Sequence, residues 1–215
     1  MNTRVASLAV ALLGADPASA IAQGTPTIAR TVNRTQTVAQ ENGRSIIRLD
    51  AKEGDGLAIV QGPAFSEGTI DLLVRGEDAA QRSFVGVAFA IQNDSTFEVV
   101  YLRPFNFRTP DTARAKRAVQ YASPPTWDWP RLRAETPGKY EKPVAPIPDP
   151  NGWVPLRLVV TPKQVIIHAN GGTEPDLVVQ RLGEPKPGPV ALWVGNNSRG
   201  DFANLKVTPA TSSSR

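Results

Sequence analysis

The 215-residue chain has no cysteine, one histidine and one methionine. Without cysteine there is no disulfide, no thiolate metal site and no N-terminal cysteine to carry a lipid, a composition that suits an oxidising compartment. With His168 alone in the strand-like stretch VIIHAN, there is no second imidazole for zinc. A Gly-x-Ser-x-Gly elbow for a serine triad is also missing. Blocks of like charge are absent as well. The 24 basic and 20 acidic residues interleave to a net charge of +4, which serves solubility and argues against a nucleic-acid partner. After the first twenty-odd residues no apolar run approaches the roughly 20 residues that cross a bilayer, so no membrane span is expected.

What is present begins with MNTRVASLAVALLGADPASAIAQ. Arg4 supplies a positive start, Val5–Ala15 an apolar run and Ala18-Ser19-Ala20 a small-residue cleavage signal. This layout predicts a secretory leader over 1–22, cut after Ala20 or Ala22, and hence export to the periplasm or beyond. Residues 23–42 are polar and aperiodic, a lead-in that can end in an edge strand. Ten short runs rich in Val, Ile and Phe follow, bounded by Gly, Pro, Asn and Asp, the first at Ser45–Leu49 and the last at Phe202–Val207. They predict an all-β antiparallel sandwich over 43–208, with a frayed tail at 209–215. Asn170-Gly171-Gly172 reads as a turn. Between the strands, residues 104–152 form one long irregular loop. It holds at most one short helix, with Thr109 as N-cap, Pro110 at the first helical position and Asp111–Val119 rich in helix formers.

Alternation assigns faces. In Thr69–Arg75, Ile70, Leu72 and Val74 point to the core, turning Asp71 and Arg75 outward. In Ser83–Gln92, Val85, Val87 and Phe89 point inward over an opposite face of Gly86, Ala88 and Ala90. Tyr101, Arg103 and Trp193 likewise turn outward. If these strands are neighbours, one outer face carries Asp71, Arg75, Tyr101, Arg103 and Trp193 around a floor of small residues.

The runs FSEGTIDLLVRG, FVGVAFAIQNDSTFEVVYLRP, GWVPLRLVVTPKQVIIHANG and GPVALWVGNNSRGDFANLKVTP resemble the concanavalin A-like (laminin-G-like) jelly rolls. They resemble most the bacterial secreted proteins of the 3-keto-disaccharide hydrolase-like and unknown-function kinds. The resemblance covers about residues 43–208 and rests on architectural motifs. It implies sugar recognition on a concave sheet face, with lectins, binding modules, hydrolases and lyases all among the possible activities. It also leaves open a structural calcium; no other cofactor is implied.

Hydrolysis by the usual route needs two carboxyl groups flanking the bond. The Glu-x-Asp-x-x-Glu strand motif of jelly-roll glucanases is absent. Asp71 is the single acid expected outward on a central strand, a weak catalytic candidate with Arg75 or Arg103 as ion-pair partner; Glu98 has the wrong parity and Asp128 lies in the loop. Tyr101, Arg103, Asn106 and Arg108 supply residue types that lyases use, without the lyase strand signatures. Binding is the better-supported reading. Trp and Tyr rings stack on sugar C–H faces, while guanidinium and amide groups hold hydroxyls and carboxylated or sulfated substituents. The candidate ligand-binding residues are therefore Arg75, Tyr101, Arg103, Asn106, Arg108, Trp127 and Trp193. A proline-rich loop must also bury aromatics simply to stay ordered. The alternatives are a glycoside hydrolase of the 3-keto-disaccharide hydrolase-like kind and a non-catalytic scaffold or protein-interaction domain. Oligomeric state is not legible.

Overall fold

A computed structural model describes residues 25–210. The expected leader over 1–22 and residues 211–215 of the expected tail lie outside the described residues. Fourteen strands form two seven-stranded antiparallel sheets. The first runs, edge to edge, through β1 (Ile28–Val32), β4 (Gly56–Val60), β13 (Ala191–Val194), β6 (Val85–Asn93), β7 (Thr96–Leu102), β8 (Val119–Ala122) and β9 (Glu141–Lys142). The second runs through β12 (Leu177–Gln180), β11 (Gln164–Ala169), β10 (Val154–Val160), β5 (Gly68–Arg75), β14 (Gly200–Pro209), β3 (Arg44–Leu49) and β2 (Gln36–Glu41). All ten expected strands are present, and the alternation places the core between the sheets. Val85, Val87 and Phe89 of the first sheet and Ile70, Leu72 and Val74 of the second are all buried. Phe65 closes edge-on against Phe89, with ring centroids 6.1 Å apart. The turn after β11 has Asn170 and Gly171 at φ 54° and 73°, the left-handed region that these residues tolerate.

Two regions differ from expectation. The lead-in ends in an edge strand, β2, as expected, but it also contains β1 at the edge of the opposite sheet, so residues 28–41 belong to the sandwich. The long loop is not simply irregular: it contributes β8 and β9 to the first sheet and carries two short helices rather than one. In α1 (Thr112–Ala115) the cap is Asp111, whose carboxylate accepts from the N–H groups of Ala113 and Arg114; the expected cap was Thr109. In α2 (Trp129–Glu135) Asp128 accepts from Arg131 N–H, and Pro130 occupies the first turn, where its missing donor costs nothing.

Candidate functional site: an outer groove on the first sheet

Register builds the floor. Trp193 on β13 pairs with Gly86 on β6, Gly86 with Tyr101 on β7, Tyr101 with Gln120 on β8 and Gln120 with Glu141 on β9. Paired residues share a face, so these five form one row across the outside of the sheet. Beside it runs Ala191, Ala88, Val99 and Ala122. Strands β13 and β7 are two apart, about 9.5 Å, yet the Trp193 and Tyr101 rings meet with centroids 4.9 Å apart. They lean together over Gly86. A Cβ at Gly86 would stand 2.0 Å from the Val100 carbonyl oxygen and 2.9 Å from Tyr101 Cβ. Gly86→Ala is therefore expected to destabilise the fold by about 1–3 kcal/mol, the usual cost of overpacking. Chemical denaturation measures it, and an unchanged midpoint would refute the packing argument.

The segment between β7 and β10 raises one wall. The chain leaves β7 through a single 3₁₀ turn at Pro104–Asn106, in which Phe105 and Asn106 are buried. Helix α2 brings Trp129, 50% exposed, over the sheet. The opposite wall is the 53–55 turn, fastened by buried Arg34. Its guanidinium donates to the carbonyls of Gly54 at 2.7 Å and Gly195 at 2.9 Å, while Gly54 N–H donates to Asn196 Oδ1 at 2.7 Å.

Two cavities open between these walls and share Phe84, Trp129 and Asn196. One, of about 290 Å³, lies over Tyr101, Trp193, Val99 and Ala122 and is bordered by Asp55 and Asp128. The Trp193 indole N–H is buried there beside the Asp55 carboxyl. Asp55 reaches solvent as a residue, but the loss of water around its carboxyl in this cleft raises its pKa, against the opposing pull of Arg34 and of the Asn196 and Trp193 N–H groups. The other cavity, of about 410 Å³, is lined by Arg103, Arg114, Arg117 and Arg133, with Phe105 and Asn106.

Polar order in the floor is high. Arg103 donates to Tyr101 Oη at 2.9 Å and to Gln120 Oε1, and Tyr101 Oη donates to Gln120 Oε1 at 3.0 Å. Burial, the largest influence, raises the Tyr101 pKa, so the phenol keeps its proton. Glu141 faces Arg133 at 2.9 Å, Arg117 at 3.3 Å and Arg103 at 3.5 Å. Asn106 donates to the Arg117 carbonyl at 2.9 Å, fixing the turn against α1.

The expected residues therefore divide. Tyr101, Arg103, Asn106 and Trp193 meet in this groove, although Tyr101 and Trp193 form its buried floor, at 4% and 5% exposed, rather than a free stacking surface. Asp71 and Arg75 do not join them. Strand β5 is the centre of the second sheet, so its outward residues face the other side of the sandwich. Alternation gives each strand a face but does not say which sheet it joins. Asp71 pairs there with Arg157 at 3.0 Å. Arg75 is held by both oxygens of Glu41, at 2.8 and 2.7 Å, and by Asp201 at 2.6 Å, and lies 4.4 Å above the Trp153 ring. Two carboxylates and an aromatic ring thus hold that guanidinium, which makes it a structural clamp. Arg108 is exposed outside both cavities. Trp127 lies under Arg131, 4.0 Å from its ring centre, in a separate cleft over Phe97 and Glu98. The aromatic over the groove is Trp129. The signal for it was the Asp128-Trp129-Pro130 helix start, which places Trp129 at the first helical position. Ala90 departs from the small-residue floor too: at φ 51° it sits in the irregularity that interrupts the β6–β7 ladder between Phe89 and Asn93. His168 stands on β11 opposite Arg157, away from the groove. No group of three or more His, Cys, Asp or Glu side chains able to hold a metal occurs among the described residues. None of their helices is long and apolar enough to cross a membrane.

Two antiparallel seven-stranded sheets packed face to face in this order make a jelly roll of the concanavalin A-like type. The sequence matches no protein-family model and no curated protein. Among solved structures, the carbohydrate-binding module CBM66 from Bacillus subtilis superposes with a TM-score of 0.55 at 14% identity, over 82% of this chain and 92% of that one. A Bacillus subtilis protein of unknown function with a galectin-like fold superposes with a TM-score of 0.50 at 11% identity, over 82% of this chain and 86% of that one. At such identities the likeness is one of fold.

Proposed function

We propose that this chain binds carbohydrate in the outer groove of its first sheet. The observation that carries the reading is half-exposed Trp129, set where two confluent cavities meet above an aromatic floor. A ring face with polar groups on both sides suits a sugar, whose C–H faces stack while its hydroxyls need donors and acceptors. The Trp193 N–H, the Asn196 amide and the Asp55 carboxyl border that position. The fold shared with a carbohydrate-binding module supports the reading, and export directed by the leader would bring the domain to extracellular glycans. Affinity electrophoresis and calorimetry of the chain against a panel of neutral and acidic glycans test it. Saturable binding without product is the expected result; no binding to any glycan would overturn the proposal in favour of an interaction module.

One observation favours hydrolysis as a second reading: Asp55 and Asp128 border the same cleft. The raised pKa of Asp55 keeps its proton to higher pH, as a general acid requires. Asp128 is the less free of the two, since it also caps α2. If any panel member is cleaved, Asp55→Asn should reduce turnover by at least about 100-fold, the usual scale of general-acid catalysis. Asp71→Asn, on the far sheet, should leave turnover unchanged.

A further inference from the structure

The larger cavity of the groove has an unusual charge balance. Four arginines line it: Arg103, Arg114, Arg117 and Arg133. Among the described residues the only carboxylate within ion-pair distance of any of them is Glu141, and its two oxygens are divided among Arg103, Arg117 and Arg133. Arg114 has no carboxylate partner. Its Nε lies 3.3 Å from Asn106 Oδ1 and its guanidinium stands over the Phe105 ring at 5.6 Å. The rest of the lining is aromatic or amide, with no acid. Four cations against one anion in a walled cavity repel one another more strongly than they would in water. The scaffold holds them there nonetheless, through Tyr101 and Gln120 for Arg103 and through the Trp129 ring, 4.9 Å away, for Arg133.

We infer that this cavity receives the anionic substituent of an acidic sugar, a uronate carboxylate or a sulfate ester. The inference rests on the carbohydrate reading above and names the ligand class for the same groove. A planar or tetrahedral oxyanion accepts paired N–H bonds from guanidinium forks, and Arg114 and Arg117 retain donors free for it. Trp129 borders both cavities, so a ring stacked on it over Tyr101 and Trp193 would direct a charged substituent toward the arginines. The site is one walled cavity rather than a track of cations, a form that matches a single charged group better than a nucleic-acid backbone.

The test uses the whole chain and matched pairs: trigalacturonate, alginate and heparin oligosaccharides, each beside its carboxyl-reduced or desulfated counterpart, with inorganic sulfate as the charge-only control. At least one acidic member should bind about 10-fold or more tightly than its neutral counterpart, as expected for one lost charge-assisted pair. That advantage should shrink as salt rises. Arg114→Gln and Arg117→Gln should each remove most of it without changing the melting temperature or the affinity for neutral sugars. Equal binding of charged and neutral partners would overturn the inference while leaving carbohydrate binding in place. Retention of the full advantage in both arginine variants would overturn the assigned cavity. Binding of sulfate and of no oligosaccharide would overturn both readings.

Discussion

Replacing Arg181 with alanine should cost the fold about 3–5 kcal/mol, the usual effect of leaving a buried charge without its partner. Glu98 points into the core from β7, and Arg181 reaches it from the end of β12 in the other sheet; their side chains are 3% and 2% exposed. The guanidinium donates to Glu98 through Nε at 2.8 and 3.0 Å and to the Ser66 carbonyl at 2.8 Å. Tyr121 Oη donates to Glu98 Oε2 at 2.6 Å and accepts from Leu182 N–H at 2.9 Å. Burial, followed by the Glu98 charge, raises the Tyr121 pKa, so the phenol remains a donor. This network joins the sheets at one end. A chain of this size should lose on the order of 10 °C of melting temperature in Arg181→Ala. The double variant Glu98→Leu with Arg181→Met, which removes both charges and fills the space, should recover most of that loss. A single-variant cost below about 1 kcal/mol would show that the pair is not holding the sheets.

Trp129→Ala should have the largest effect on binding. Truncating an aromatic anchor at the centre of a site commonly costs about 2 kcal/mol or more, near 30-fold in affinity. Because half of Trp129 is already exposed and it begins a helix capped by Asp128, the melting temperature should change little. Trp127→Ala should behave in the opposite way. Its ring packs against the core under Arg131, so stability should fall and glycan affinity should persist. Calorimetric titration beside thermal unfolding of the two variants separates the roles. Comparable binding loss in both would place the sugar along the whole face rather than over the groove.

Much of the fold was legible because alternation is a local property. Ile70, Leu72 and Val74 read inward from their own strand, and they point inward. What alternation does not carry is strand order. Asp71 and Arg75 share an outward parity with Tyr101 and Trp193 yet lie on the opposite sheet, because β5 pairs with β10 and β14 while β7 pairs with β6 and β8. Strands β8 and β9 escaped for a different reason. Four residues with Gln120 in the middle, and two beginning with Glu141, show no apolar period, since those polar side chains face the arginines of the groove rather than the core. The ion pair of Glu98 with Arg181 gave no sequence signal beyond the inward parity of Glu98, its partner being 83 residues away.

The groove also separates its parts by chain position. Part of its floor comes from β13, β6 and β7, whereas β8, β9, three of its four arginines, Trp129 and Phe105 all come from residues 104–142. On the carbohydrate reading, ligand preference can diverge by exchanging a single contiguous cassette, residues 104–142, while the other twelve strands stay fixed. The cassette carries its own attachment rules. Val119–Ala122 must keep register with Val99–Leu102, and Tyr121 must still reach Glu98 from within it. Grafts between jelly rolls that respect those two anchors should transplant specificity; grafts that cut through β8 should lose the fold along with it.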